Sequence, residues 1–244
     1  MELRYEGKAK RVYRTGDPGV YLCEYKDDAT AFNAQKRGTI PHKGEVNCTI
    51  AGIIFTYLEQ RGIPTHFLRQ VSPTQMEVKA VRILPIEVVI RNRTAGSLCQ
   101  RLGLERGIPI QPPLLEFYYK NDPLGDPLIT PDHIALLGLA TPPEVDYLGT
   151  AARQINQYLQ DFFRRCDLEL IDFKLEFGRD PQGEILLADE ISPDTCRLWD
   201  LRGSGEQRVL DKDLFRFDLG DPVAGYQEVL QRIRAAYPTA SPRP

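Results

Sequence analysis

The chain has 244 residues, and 31 basic against 34 acidic side chains give a formal net charge of −3; that length suffices for one large domain or two small joined ones, stable without disulfides. The charge balance excludes a general nucleic-acid-binding role, which rests on a strong basic excess. Five cysteines without C-x-x-C spacing, three histidines outside any metal motif, no apolar leader and no apolar run long enough for a bilayer together point to a reduced, cytoplasmic protein with no membrane segment.

Residues 10–14 and 20–25 alternate with period two, and Thr15-Gly16-Asp17-Pro18-Gly19 between them carries turn chemistry, so the chain opens with a hairpin. Residues 44–61 switch to helical spacing. Val46, Ile50, Ile53, Ile54, Tyr57 and Leu58 share a face, and Gly62 stands at C′. Strands over 76–83 and 86–91 join across Leu84-Pro85, and a short helix over 94–102 starts near Ala95-Gly96-Ser97. The longest helix spans 144–166. Strands over 168–177 and 184–191 then flank a turn at 178–183. Asp221 as N-cap and Pro222 at N1 open a final helix to residue 237. Mixed elements with frequent hairpins read as α+β with a mostly antiparallel sheet.

Several stretches carry chemistry. In Gly7-Lys8-Ala9-Lys10 the two lysines share one strand face behind a glycine. That suits a polyphosphate, although a solvated edge strand has the same spacing. Asp172, Lys174 and Glu176 alternate with Phe173 and Leu175, and a hairpin over 178–183 brings Asp189 near Glu176. Two adjacent carboxylates repel unless a cation lies between them, and Mg²⁺ with nucleotide phosphates is the natural guest. Charge pairs on a surface hairpin are the plainer alternative. Arg91-Asn92-Arg93-Thr94-Ala95-Gly96-Ser97 follows an apolar strand and opens a helix, where N–H groups and a guanidinium favour a phosphate monoester. The segments 192–200 and 120–127 supply polar, proline-bearing loops. P-loop, dinucleotide-binding, nucleophile-elbow and kinase-loop signatures are all absent.

Jointly these segments resemble the phosphoribosylaminoimidazole-succinocarboxamide synthase (SAICAR synthetase) family. The resemblance rests on Tyr5-Glu6-Gly7-Lys8-Ala9-Lys10, on residues 86–98, on Asp172-Phe173-Lys174-Leu175-Glu176-Phe177-Gly178, and on Asp189-Glu190-Ile191-Ser192-Pro193-Asp194 through Arg197-Leu198-Trp199-Asp200. It implies a small β-rich nucleotide-covering domain (1–85) packed on a larger α+β domain (86–244), with ATP in the cleft between them. Its substrates would be Mg²⁺-bound ATP, carboxyaminoimidazole ribonucleotide and L-aspartate, and the enzyme a possible homodimer. By the same resemblance Lys8, Lys10, Lys79 and Lys120 are nucleotide contacts, and residues 79–84 run beside adenine. Glu176 and Asp189 are nucleotide and metal acids. Arg91, Ser97 and Arg197 hold the 5′-phosphate, while Lys174, Asp172 and Asp126 lie around the reacting groups, Asp172 being a candidate acceptor of the amine proton. The loop over 30–44 departs from the family in Ala34 after Asn33 and His42 before Lys43-Gly44, and no role is assigned within it. Two alternatives remain at this level: a small-molecule kinase using the same cleft, and a nucleotide sensor that binds without turnover.

Overall fold

The computed structural model describes residues 1–31 and 35–238; the departures at Asn33 and Ala34 lie outside the described residues. The chain begins with three antiparallel strands, β1 (Glu2–Glu6), β2 (Lys10–Arg14) and β3 (Val20–Tyr25), which confirm the opening hairpin. A separate ribbon of β4 (Asp28–Ala31) and β5 (Lys36–Thr39) leads into α1 (Lys43–Glu59). After Gly62, whose φ of 82° ends the helix, β6 (Phe67–Ser72) and β7 (Gln75–Lys79) complete a five-stranded sheet in the order β1-β2-β3-β7-β6.

The second sheet is built around long strands. β8 (Arg82–Arg93) leads through α2 (Ser97–Leu102) to β9 (Pro109–Tyr119), and β10 (Leu128–Ile129) pairs back on β9. Helices α3 (Pro131–Leu136) and α4 (Pro142–Arg164) precede β11 (Leu168–Arg179). On one edge β11 pairs with β8. Its other edge is divided between β12 (Ile185–Ala188) and β13 (Cys196–Asp200), all antiparallel. Short α5 (Asp213–Phe217) and terminal α6 (Pro222–Ala236) close the chain, with the Asp221 carboxylate accepting the Val223 N–H at 2.9 Å as an N-cap. The α+β, antiparallel reading therefore holds. Among the described residues, no helix is long and apolar enough to cross a membrane.

Two sequence expectations need correcting. The first is the joint at Leu84-Pro85: β8 runs unbroken through it, and the break falls earlier, at residues 80–81. Proline is tolerated because pairing with β11 steps from Glu87↔Glu176 to Ile83↔Gly178, so residues 84–86 have no partner on that edge and no ladder bond is lost. The second is α1, which is not amphipathic in its setting. From Lys43 to Leu58 nearly every side chain is buried, because the first sheet covers one side of the helix and α6 packs on another. Helix α4 covers the apolar face of the second sheet, so Leu170, Phe173, Leu175 and Phe177 of β11 point into one continuous core. The opposite face of β11 is left for polar groups.

Candidate active site

Between the two sheets lies a cavity of about 720 Å³, floored by the polar faces of β8 and β11. Antiparallel register sets Arg91 opposite Asp172, Val89 opposite Lys174 and Glu87 opposite Glu176. Because alternate residues share a face, the charged members of both strands enter the same cavity. Across the other edge Glu176 pairs with Ala188, so the next residue, Asp189, leaves β12 beside the acid row. Its φ of 60° turns the chain there, a conformation aspartate tolerates better than most residues.

At this end lysines answer the acids. Glu176 accepts from Lys120 on one oxygen and from Lys174 at 2.8 Å on the other, while Lys174 also reaches Glu87 at 2.8 Å. Lys10 donates to Asp189, lies 3.0 Å from Glu190 and sits 5.2 Å from the centre of the Tyr25 ring. Burial works to lower the pKa of Lys10 and Lys174. Asp189 and Glu190 outweigh it for Lys10, and Glu176, Glu87 and Asp189 for Lys174, so both ammonium groups are raised. Burial likewise disfavours ionised Asp189, but Lys10, Lys174 and Lys120 hold its carboxyl well below the usual range. Lys8 crosses the cavity mouth to Asp122 at 2.7 Å. Asp126 shapes the same rim, accepting the Asn121 N–H at 2.7 Å from a φ of 49°.

The far end is built from arginines. Arg91 donates to Glu116 at 2.6 Å, to Asp172 at 2.9 Å, to Tyr118 at 3.1 Å and to Ser97 Oγ at 3.3 Å. Arg197 donates to both Asp172 oxygens at 3.0 and 2.9 Å and to Asp213 at 2.8 Å, and Arg216 meets Asp213 at 2.7 Å. Gly96 allows this approach: with φ at 54°, a Cβ there would sit 2.4 Å from an Arg197 nitrogen.

The SAICAR synthetase family profile matches residues 3–233. The chain belongs to that family. It is 74% identical over 236 residues to the phosphoribosylaminoimidazole-succinocarboxamide synthase of Synechococcus sp. (strain JA-2-3B'a(2-13)), covering 97% of this chain and 95% of that one. Among solved structures, the synthase of Ehrlichia chaffeensis superposes with a TM-score of 0.92 at 41% identity, covering 96% of this chain and 99% of the other. A SAICAR synthetase (Type-2) in complex with ADP superposes with a TM-score of 0.91 at 44% identity, with coverage of 95% and 97%.

Against the residues expected from this SAICAR synthetase resemblance, Lys8, Lys10, Lys120, Asp126, Asp172, Lys174, Glu176, Asp189, Arg91 and Arg197 all line one cavity. Ser97 reaches it only through Arg91. Lys79 does not line it: the residue is exposed at the end of β7. Both oxygens of Asp172, the candidate proton acceptor, accept from Arg91 and Arg197, and the residue is nearly enclosed. It joins two guanidinium groups. Sequence reading missed Glu87, Glu116, Glu190, Asp194, Lys212, Asp213 and Arg216. Glu87 was detectable, two residues before Val89 on the strand face that carries Arg91.

Glu176 and Asp189 offer hard carboxylate oxygens, but among the described residues no cluster of three potential metal ligands forms. Two carboxylates fit Mg²⁺ that arrives with nucleotide phosphates and keeps its waters. They do not fit an all-protein metal cage.

Proposed function

We propose that this chain uses Mg-ATP to join the amino group of L-aspartate to the carboxylate of carboxyaminoimidazole ribonucleotide, releasing the succinocarboxamide, ADP and phosphate. One observation carries the reading: in a member of the SAICAR synthetase family, a single cavity has a lysine–carboxylate cluster suited to a triphosphate at one end and paired arginines suited to a phosphate monoester at the other. The ADP complex of the 44%-identical relative supports nucleotide use.

An amine does not displace oxide from a carboxylate. Transfer of the γ-phosphoryl group to that carboxylate gives an acyl phosphate, which the amine attacks as phosphate leaves. Catalysis is then mostly positioning and charge neutralisation. Lys8, Lys10 and Lys120 neutralise the triphosphate, and Lys174 sits between Glu87 and Glu176 at the transferring group. Glu176 and Asp189 hold Mg²⁺, which when bound offsets charge on the transferring phosphoryl oxygens. Arg91 and Arg197, with Ser97 and fixed by Asp172, orient the 5′-phosphate, while Asp126 holds the rim loop. Residues 1–85 form the nucleotide-covering lobe and 86–244 the substrate and metal lobe, with 79–84 passing adenine. Lys79 then contributes backbone rather than its exposed side chain. The enzyme works in the cytoplasm as a homodimer, a state light scattering would measure.

The deciding experiment is a coupled assay of ADP release with Mg-ATP, the ribonucleotide and L-aspartate, each omitted in turn. The expected result is release that needs all three. Full release without aspartate would instead establish a kinase.

A further inference from the structure

Seven of the eight described lysines and arginines lining the cleft have a carboxylate within hydrogen-bond distance: Lys8, Lys10, Arg91, Lys120, Lys174, Arg197 and Arg216. The eighth, Lys212, stops 3.6 Å from Asp194 Oδ2. That oxygen already accepts from Lys43 at 2.9 Å, and Asp194 Oδ1 accepts from the Tyr226 hydroxyl. Lys43 is the first residue of α1 and Tyr226 belongs to α6, so two helices converge on one carboxylate at the cleft wall. The Lys43 side chain is 1% exposed and does not line the cavity, whereas Lys212 lines it with 14% exposure. A buried ammonium is expensive to desolvate, and an apolar side chain of similar volume would fill the space as well. What the charge achieves here is to satisfy Asp194 without calling on Lys212.

We propose that Lys43 is a positioning residue: with Tyr226 it saturates the Asp194 carboxylate and leaves the Lys212 ammonium at the cleft wall to receive a carboxylate of the amine substrate. This rests on the ligase reading above. L-Aspartate brings two carboxylates, and among the described cations of the cleft Lys212 is the one without a protein carboxylate at hydrogen-bond distance. The groups facing Lys212 are Asp194 and Glu190 on the acidic side and Arg216 and Lys43 on the basic side. Burial, reinforced by Arg216 and Lys43 and opposed by Asp194 and Glu190, holds Lys212 below the ordinary lysine range. An ammonium in that setting gains from an incoming anion.

The test is Lys43→Met. Asp194 then turns to Lys212, and the KM for aspartate rises at least about tenfold while the KM values for Mg-ATP and the ribonucleotide stay within about twofold. Competitive acetylation with peptide mass spectrometry reads Lys212 separately, and its labelling midpoint moves to higher pH in the variant. Tyr226→Phe keeps the ring and removes only the hydroxyl, so it gives a smaller shift in the same direction even if Lys43→Met does not fold. An unmoved acetylation midpoint, an unchanged aspartate KM in a folded variant, or equal rises in all three KM values would overturn the proposal. If the unmodified enzyme shows no aspartate-dependent ADP release, the ligase reading fails and takes the substrate half with it. The acetylation shift still decides whether Lys43 governs Lys212.

Discussion

Glu176 is enclosed, yet both its oxygens are taken by ammonium groups, so its charge has two duties: neutralising Lys120 and Lys174 and offering oxygens to a nucleotide-bound cation. Glu176→Gln keeps the shape and removes the charge. Turnover should fall by at least about a hundredfold, with the remaining activity demanding more Mg²⁺; near-normal ADP release at ordinary Mg²⁺ would sink the assignment. Gly96 tests the other end. With its φ at 54° and Arg197 against its Cα, Gly96→Ala should displace the guanidinium. The ribonucleotide KM should rise about tenfold or more with the ATP KM unmoved, and a comparable rise in both would place Arg197 elsewhere. Arg91, Asp172, Lys174 and Glu176 were legible because strand alternation exposes them in order, whereas Glu190, Asp194, Lys212 and Arg216, which also line the cleft, stand on no such alternating strand face. The supports of the arginines were not legible either. Glu116 and Asp213 hold Arg91 and Arg197 from β9 and α5, and nothing in the spacing of residues 91–97 points so far along the chain.

At the scale of elements, the helix starts differ in how well they are capped. Helix α4 opens with a capping box in which the Glu144 side chain accepts the Thr141 N–H at 2.7 Å and also receives Arg179 of β11. Thr141→Ala should cost about 1 kcal/mol, read as a lower urea midpoint at unchanged slope. Helix α1 opens on His42 at a left-handed φ of 65°; its own side chain makes no cap, and the Asp27 carboxylate accepts the His42 and Gly44 N–H groups at 3.1 and 2.8 Å instead. His42→Gly should raise stability by about 0.5–1 kcal/mol, and an unchanged midpoint would show that His42 is held by contacts worth as much as the strain. Both long helices were readable from periodicity and from Gly62. β9 was not, because Pro109, Pro112 and Pro113 argue against a strand. It survives because β10 pairs with it only at Phe117 and Tyr118, which leaves the proline-rich half with β8 as its single neighbour. The burial of Lys43 was equally hidden, since a lysine at a helix start reads as a surface residue.

For the whole molecule, acid stability turns on groups where the first sheet meets β12. His66 donates its backbone N–H to Leu187 O at 2.9 Å, packs edge-on to Phe55 at 5.3 Å, and has a buried Nε2 without a hydrogen-bond partner. Burial, with Lys10 nearby, pushes its pKa down to about 3. An unfolded histidine titrates near 6.5, so between about 6.5 and 3 the unfolded chain binds the extra proton. The stability this group contributes is complete above about pH 6.5 and is lost as pH falls through that window, at up to roughly 1.4 kcal/mol per pH unit. His66→Gln should flatten the dependence of the urea midpoint on pH in that range. An unchanged slope would mean that His66 takes up its proton over the same pH range in both states.

β11 has a further consequence, one that concerns heredity. Asp172, Lys174 and Glu176 face the chemistry while Phe173, Leu175 and Phe177 face the core, with period two. Deleting or inserting a single codon there exchanges the two sets, sending charges inward and aromatic rings into the cleft. Such a lesion removes folding and activity in one step, so no intermediate variant exists for selection to repair. Three codons beyond Phe177, the turn over 180–183 carries no such pattern and lies mostly at the surface. Length variation among descendants of this gene should therefore collect in that turn and stop abruptly at the strand.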